Sequence, residues 1–242
     1  MPQKHRKTGS PRFIRLVLAM AVFAYHAIVL SALAPMSGLE RIWGQFAELA
    51  IQGFFIVSGA LVAGSLTRSQ SLADYAGKRA RRLYPAYATV ILVPALISLL
   101  MGGQGRGVAE YVTANLVFLN FLSPDLPGLF EGNRFTEVNG ALWTLKIEVM
   151  FYLCLPVIGW ALRMAGRARW ALLLGLYAAG EAWRLGLPVL LDHPMAPMLA
   201  RQLPGQMAFF ASGIALWQVW DLARSRPLLF GAGGLLLAGL SF

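Results

Sequence analysis

Two residues that can do chemistry share the first apolar stretch, Ile14 to Ala34: a guanidinium at its start, Arg15, and an imidazole well inside, His26. They are eleven positions apart. That is about three helical turns, which puts both on one stripe of a helix roughly 16 Å apart along its axis. An ionisable side chain within a membrane span is costly against lipid and marks a functional site by default. His26 is the intramembrane group whose ordinary pKa lies near neutrality, so it is suited to accepting a proton from a hydroxyl. Counted inward from the outer ends of their apolar runs, His26, Gln52 and Glu148 come at about eight, six and seven residues, or roughly 9–12 Å. The expectation is that the three sit at similar depth and face one another or a wet cavity. At that depth the Glu148 carboxylate would fix the tautomer of His26 and raise its basicity. The plainer alternative is a buried polar cluster that only ties helices together. Ser58 stands in Val57-Ser58-Gly59, without the G-x-S-x-G spacing of a nucleophile elbow, and reads as a close-packing residue beside Gly59.

Arg79 and Arg82 form a second group. Three apart, they share one face near a helix start, and guanidinium forks suit phosphate oxygens. An anchor against anionic lipid is the alternative for this basic segment. Arg15 belongs to the same inner surface. Together the three arginines outline a phosphate site at the cytoplasmic mouth with His26 deeper in, a layout that fits a donor with a phosphate-rich head and an acyl tail.

The elements that must position these groups are membrane helices. The chain has 242 residues, 57% hydrophobic and 13% charged, and a mean hydropathy of +0.60. A soluble domain is nearer a quarter charged. The apolar runs do not alternate, which excludes a barrel, and several reach the ~20 residues a spanning helix needs. Spans are expected at about 14–34, 46–66, 83–101, 141–162, 170–190 and 203–220, with a shorter last run at 228–242. The stretch 108–123 reads as interfacial or re-entrant. A short polar turn is expected at 35–45 and hydrophilic loops at 67–82 and 125–139, with Pro85 in the first turn of the span at 83–101. The fold class is thus all-α and polytopic, with about six to seven transmembrane helices, in one domain spanning residues 1–242.

Net charge is +10, and its distribution gives the orientation. With the N-terminus inside, the inner side holds Lys4, Arg6, Lys7, Arg12 and Arg15, then Arg68, Lys78, Arg79, Arg81 and Arg82, then Arg163, Arg167 and Arg169, and last Arg224 and Arg226. The outer side holds only Arg41, Arg106, Arg134, Arg184 and Arg201. This bias is the positive-inside rule, and it accounts for the basic charge without nucleic acid. The basic, then apolar, N-terminus imitates a signal peptide, but Pro35 after Ala34 and the length of the run favour an uncleaved first span. One cysteine, Cys154, and three scattered histidines, His5, His26 and His193, give no disulfide and no metal cluster.

Four stretches resemble the acyltransferase 3 family of bacterial integral membrane acyltransferases. They are Arg15 and His26 as an R-x10-H pair; Ile51-Gln52-Gly53-Phe54-Phe55-Ile56-Val57-Ser58-Gly59-Ala60-Leu61-Val62; Arg79-Ala80-Arg81-Arg82-Leu83-Tyr84-Pro85; and Asn139-Gly140-Ala141-Leu142-Trp143-Thr144-Leu145-Lys146-Ile147-Glu148-Val149-Met150-Phe151-Tyr152-Leu153-Cys154-Leu155-Pro156. They occur in family order across residues 15–156. The resemblance implies O-acyl transfer, often of acetyl, from cytoplasmic acyl-coenzyme A to a sugar hydroxyl of a polysaccharide or glycolipid, at the bacterial inner membrane. It implies no bound cofactor, with acyl-coenzyme A as a substrate. It further implies His26 as the essential base and Arg15, Arg79 and Arg82 toward the donor. Gln52, Ser58, Trp143 and Tyr152 would line the site within their motifs. Departures are Ala50 for a usual glycine, Ala60 for an aromatic, and Lys146 where a small or apolar residue is common; Lys146 would pair with an acid or bind an anionic substrate. Family members usually have about ten spans and this sequence stops in its seventh, so a fragment or shortened member is expected. The rivals are a transporter or export-helper without chemistry of its own, and an inactive truncated member.

Overall fold

The computed structural model describes residues 11–30 and 37–226. The basic residues Lys4, Arg6 and Lys7, the end of the first apolar run and the final run 228–242 lie outside the described residues. The described chain is all-α, with one isolated bridge between Asp125 and Glu137. The helices are α1 (Pro11–Leu30), α2 (Ser37–Thr67), α3 (Leu72–Leu100), α4 (Gly105–Leu116), α5 (Leu142–Met164), α6 (Arg169–Leu190), α7 (Ala196–Ala200), α8 (Leu203–Gln218) and α9 (Trp220–Ser225).

Three of them are long and apolar enough to cross a membrane: α2 from Glu40 onward, α3 and α5. Their 31, 29 and 23 residues give about 46, 44 and 35 Å at 1.5 Å per residue, above the ~30 Å of hydrocarbon. A shorter apolar stretch, Phe13–Val29, fills α1. Two expected loops turn out to be helical. The segment 35–45 is helix from Ser37, and the segment 67–82 is helix from Leu72. Local hydrogen bonding explains the second. Ser71 caps α3 by accepting from the Asp74 N–H at 3.1 Å, and Lys78 pairs with Asp74 one turn on at 2.6 Å. Pro85, expected in a first turn, therefore stands inside α3.

The chain divides into two compact units, Met1–Phe54 with Arg68–Pro156, and Phe55–Thr67 with Val157–Phe242. In the first, a core of Tyr87, Ile91 and Ala95 from α3 meets Val108 and Tyr111 from α4, Leu126 from the following loop and Leu142 from α5. α4 has 12 residues, about 18 Å, too short to cross the hydrocarbon. It lies instead along α3. Tyr87 Oη donates to Asn115 O at 2.7 Å, Ser98 Oγ to Pro127 O at 2.5 Å, and Asn115 Nδ2 to Ser123 O at 2.8 Å. Phe118 takes a left-handed φ of 64° and is held there by stacking on Tyr87, centroids 4.3 Å apart. Burial pushes the Tyr111 hydroxyl up to about 12, so it stays neutral. The loop reaches α2 through Arg134 and Glu40, 2.9 Å apart.

α1 and α2 run antiparallel in this unit. A methyl placed on Gly53 would lie 3.2 Å from Leu18 Cδ2, and one on Gly44 3.5 Å from Tyr25 Cε2. Rising numbers on one helix thus meet falling numbers on the other.

The second unit is built on small residues. A Cβ on Gly59 would stand 2.5 Å from Phe210 O, and one on Gly213 would run into Ile56 O. The rings of Phe55 and Phe210 lie 4.9 Å apart beside that crossing. Gly180 of α6 meets the Ala208 backbone of α8 in the same way. Glu181 and Arg184 pair at 2.6 Å, so the two charges in the second half of α6 form a matched couple and the helix continues to Leu190. Gly213→Ala is expected to lower the thermal midpoint in detergent, with overpacking of about 1–3 kcal/mol. Gly175→Ala, with nothing within 4 Å of the added methyl, should leave the midpoint unchanged or raise it.

Candidate active site

Glu148 sits in the second turn of α5, 14% exposed. α5 starts where it does because Asn139 Oδ1 accepts the Ala141 N–H at 3.1 Å, just before Leu142 enters the core. Tyr152, one turn after Glu148, donates its hydroxyl to Glu148 Oε1 at 2.5 Å. This is a short bond of the kind a carboxylate makes. Arg15 Nη2 approaches the same oxygen at 3.9 Å, the outer limit of an ion pair. Tyrosine therefore holds the carboxylate closely, while Arg15 engages it loosely.

α3 supplies the opposite wall. Tyr75, buried, donates its hydroxyl to the Tyr152 backbone carbonyl at 3.1 Å. One turn on, the Arg79 guanidinium carbon lies 5.8 Å from the Tyr152 ring centroid. Arg82 is exposed, and both it and Arg79 are within electrostatic reach of Tyr152. Arg15 thus meets the Glu148 carboxylate, Arg79 meets the ring of Tyr152 that bonds it, and Arg82 stands exposed one turn farther along α3. Such a set can hold a polyphosphate.

His26 is held differently. Its Nδ1 lies 2.8 Å from Val22 O within α1. A carbonyl only accepts, so Nδ1 is the donor in this bond and Nε2 is the ring nitrogen left free of it. The orienting bond expected from Glu148 is made instead by the helix's own backbone. The Tyr25 ring stands edge-on at 5.4 Å.

The expected common depth of His26, Gln52 and Glu148 does not hold. Gln52 adjoins Gly53, which faces Leu18, whereas Tyr25 faces Gly44. Gln52 is therefore about 12 Å from the level of His26, toward the Arg15 end. The cause is the start of α2 at Ser37, which places Gln52 fifteen residues into its helix rather than about six. Glu148 likewise lies within reach of Arg15. Gln52 and Trp143 are half-buried. Lys146 has no carboxylate within ion-pair distance among the described residues; its Nζ lies 5.0 Å from the Phe121 ring centroid. Ser58 is buried in the second unit, next to Gly59. No group of three or more metal-ligating side chains occurs among the described residues.

Sequence reasoning missed Tyr75 and the Val22 carbonyl. Tyr75 is one turn before Arg79 and two before Arg82, so a shared stripe was its signal. A carbonyl leaves no signal in a sequence.

Known proteins give the following likenesses. The family described as Acyltransferase domain matches residues 9–242. Nodulation protein 10 of Rhizobium leguminosarum bv. viciae is 28% identical over 86% of this chain and 59% of its own length. The O-acetyl transferase of Shigella phage Sf6 is 31% identical over 57% of this chain and 42% of its own. Acyltransferase MdmB of Streptomyces mycarofaciens is 23% identical over 94% and 55%. The chain thus spans about half the length of the curated relatives it matches. No solved structure matches it. A match over nearly the whole chain makes this protein a member of the acyltransferase 3 family.

Proposed function

We propose that the protein is a multi-pass enzyme of the bacterial inner membrane, with its N-terminus in the cytoplasm and six to seven spans in this chain. It transfers an acyl group from cytoplasmic acyl-coenzyme A to a hydroxyl of a polysaccharide or glycolipid sugar. Acetyl is the acyl group favoured, on the name of the phage relative. The observation that carries the reading is the bond from His26 Nδ1 to Val22 O, which leaves Nε2 as a base on the same helix as Arg15.

In this mechanism Arg15, Arg79 and Arg82 bind the phosphates of the donor. Roughly 16 Å along α1, His26 Nε2 takes the proton of the acceptor hydroxyl. The oxygen attacks the thioester carbon, a C–O bond forms and the C–S bond breaks. The proton on Nε2 passes to the departing thiolate, which restores the neutral ring. Glu148, held by Tyr152, serves as the counter-ion that keeps Arg15 in place before the donor arrives.

His26→Ala should lower kcat by at least about 10²-fold with membrane insertion intact. Coenzyme A release from proteoliposomes given acetyl-coenzyme A and acceptor is the measurement, and retained turnover refutes the role. Arg79→Gln should raise the donor KM about 10-fold or more, as loss of a hydrogen bond to a charged group does, with the acceptor KM unchanged. Glu148→Gln separates its two roles. As a counter-ion it shifts donor KM and leaves kcat within several-fold. As the partner of His26 it would cost kcat about 10⁴-fold, as a wrong tautomer does.

A further inference from the structure

A basic turn outside the site described above joins α5 to α6. Arg163 lies in the last turn of α5, Gly166 takes a left-handed φ of 53°, and Arg167 and Arg169 follow before Trp170. Gly166, Arg167, Arg169 and Trp170 line an open cavity of about 430 Å³. The Arg169 guanidinium stacks on Trp170 at 5.6 Å, which stiffens one wall. No carboxylate pairs with Arg163, Arg167 or Arg169 among the described residues. Near this turn in sequence the chain is apolar and exposed. Trp160 is 59% exposed and Met164 71% on α5, and Leu174 is 67% exposed on α6.

We propose that this turn is a binding site for one anionic phospholipid of the inner leaflet. The phosphate and its headgroup sit between Arg167 and Arg169, and the acyl chains run along Trp160, Met164 and Leu174. Charge complementarity selects an anion. The apolar wall next to it selects an anion that carries tails, since a free phosphate gains nothing from Trp160 or Leu174. Trp170 stands at the headgroup level, where an indole is at home. The inner leaflet follows from the arginine bias of this turn. The site is separate in sequence from Arg15, Arg79 and Arg82 and does not depend on the acyl-transfer reading.

The test is native mass spectrometry of the 242-residue chain released from nanodiscs of equimolar phosphatidylglycerol and phosphatidylcholine. The chain is expected to retain phosphatidylglycerol in preference. Arg167→Gln with Arg169→Gln should reduce that preference at least about fivefold. Arg224→Gln with Arg226→Gln, an equal loss of charge, should leave it in place. Equal retention of both lipids overturns the proposal. So does an equal loss in the two double variants, which signals general charge attraction. Displacement of the lipid by millimolar inorganic phosphate also overturns it, in favour of a free-anion site. If the first double variant fails to fold, Arg167→Gln and Arg169→Gln are each compared with Arg224→Gln, with the same outcomes deciding.

Discussion

A carboxyl group in an apolar helix needs partners, and Glu148 meets side chains of α5 and α1 among them. Tyr152 of its own helix bonds it closely, and Arg15 of α1 approaches from the side. Tyr152 is fixed in turn by Tyr75 of α3, whose hydroxyl reaches its backbone carbonyl, and Arg79 lies against its ring. Three helices thereby converge on one turn of α5. The Tyr152 hydroxyl is the closest of these contacts, and Arg15 stands off at 3.9 Å.

That arrangement separates two polar groups along α1. One end of the helix carries the Arg15 guanidinium beside Glu148, and the other carries an imidazole whose Nδ1 donates to Val22 O. A backbone carbonyl is a dependable orienter, because it moves only if the helix itself does. The two groups lie roughly 16 Å apart along one helix axis, with the Glu148 carboxylate at the guanidinium end.

The segment between α3 and α5 serves stability in its own way. α4 is too short to span, and its polar side chains would be costly in lipid. Asn115 instead bonds the backbone of Tyr111 and of Ser123, and Tyr87 closes on Asn115 O. The polar atoms of an irregular stretch are thus met within protein, which is the condition for non-spanning backbone near a membrane. Arg134 then pins the loop to α2.

Much of this could be read from the residues. The apolar runs marked α1, α2, α3 and α5, the charge bias marked the basic turns, and the spacing of Arg79 and Arg82 marked one face. The stripe shared by Arg15 and His26 needed only helical geometry. Depth was not legible, because it depends on where helices begin, and hydropathy does not set that. Ser71 and Asp74 started α3 within a polar stretch, and α2 began at Ser37, so Gln52 moved about 12 Å from the level of His26. Which partner Glu148 takes was likewise decided only in three dimensions. Composition says that a buried charge must be matched, while the antiparallel packing of helices decides which side chain is near enough to match it.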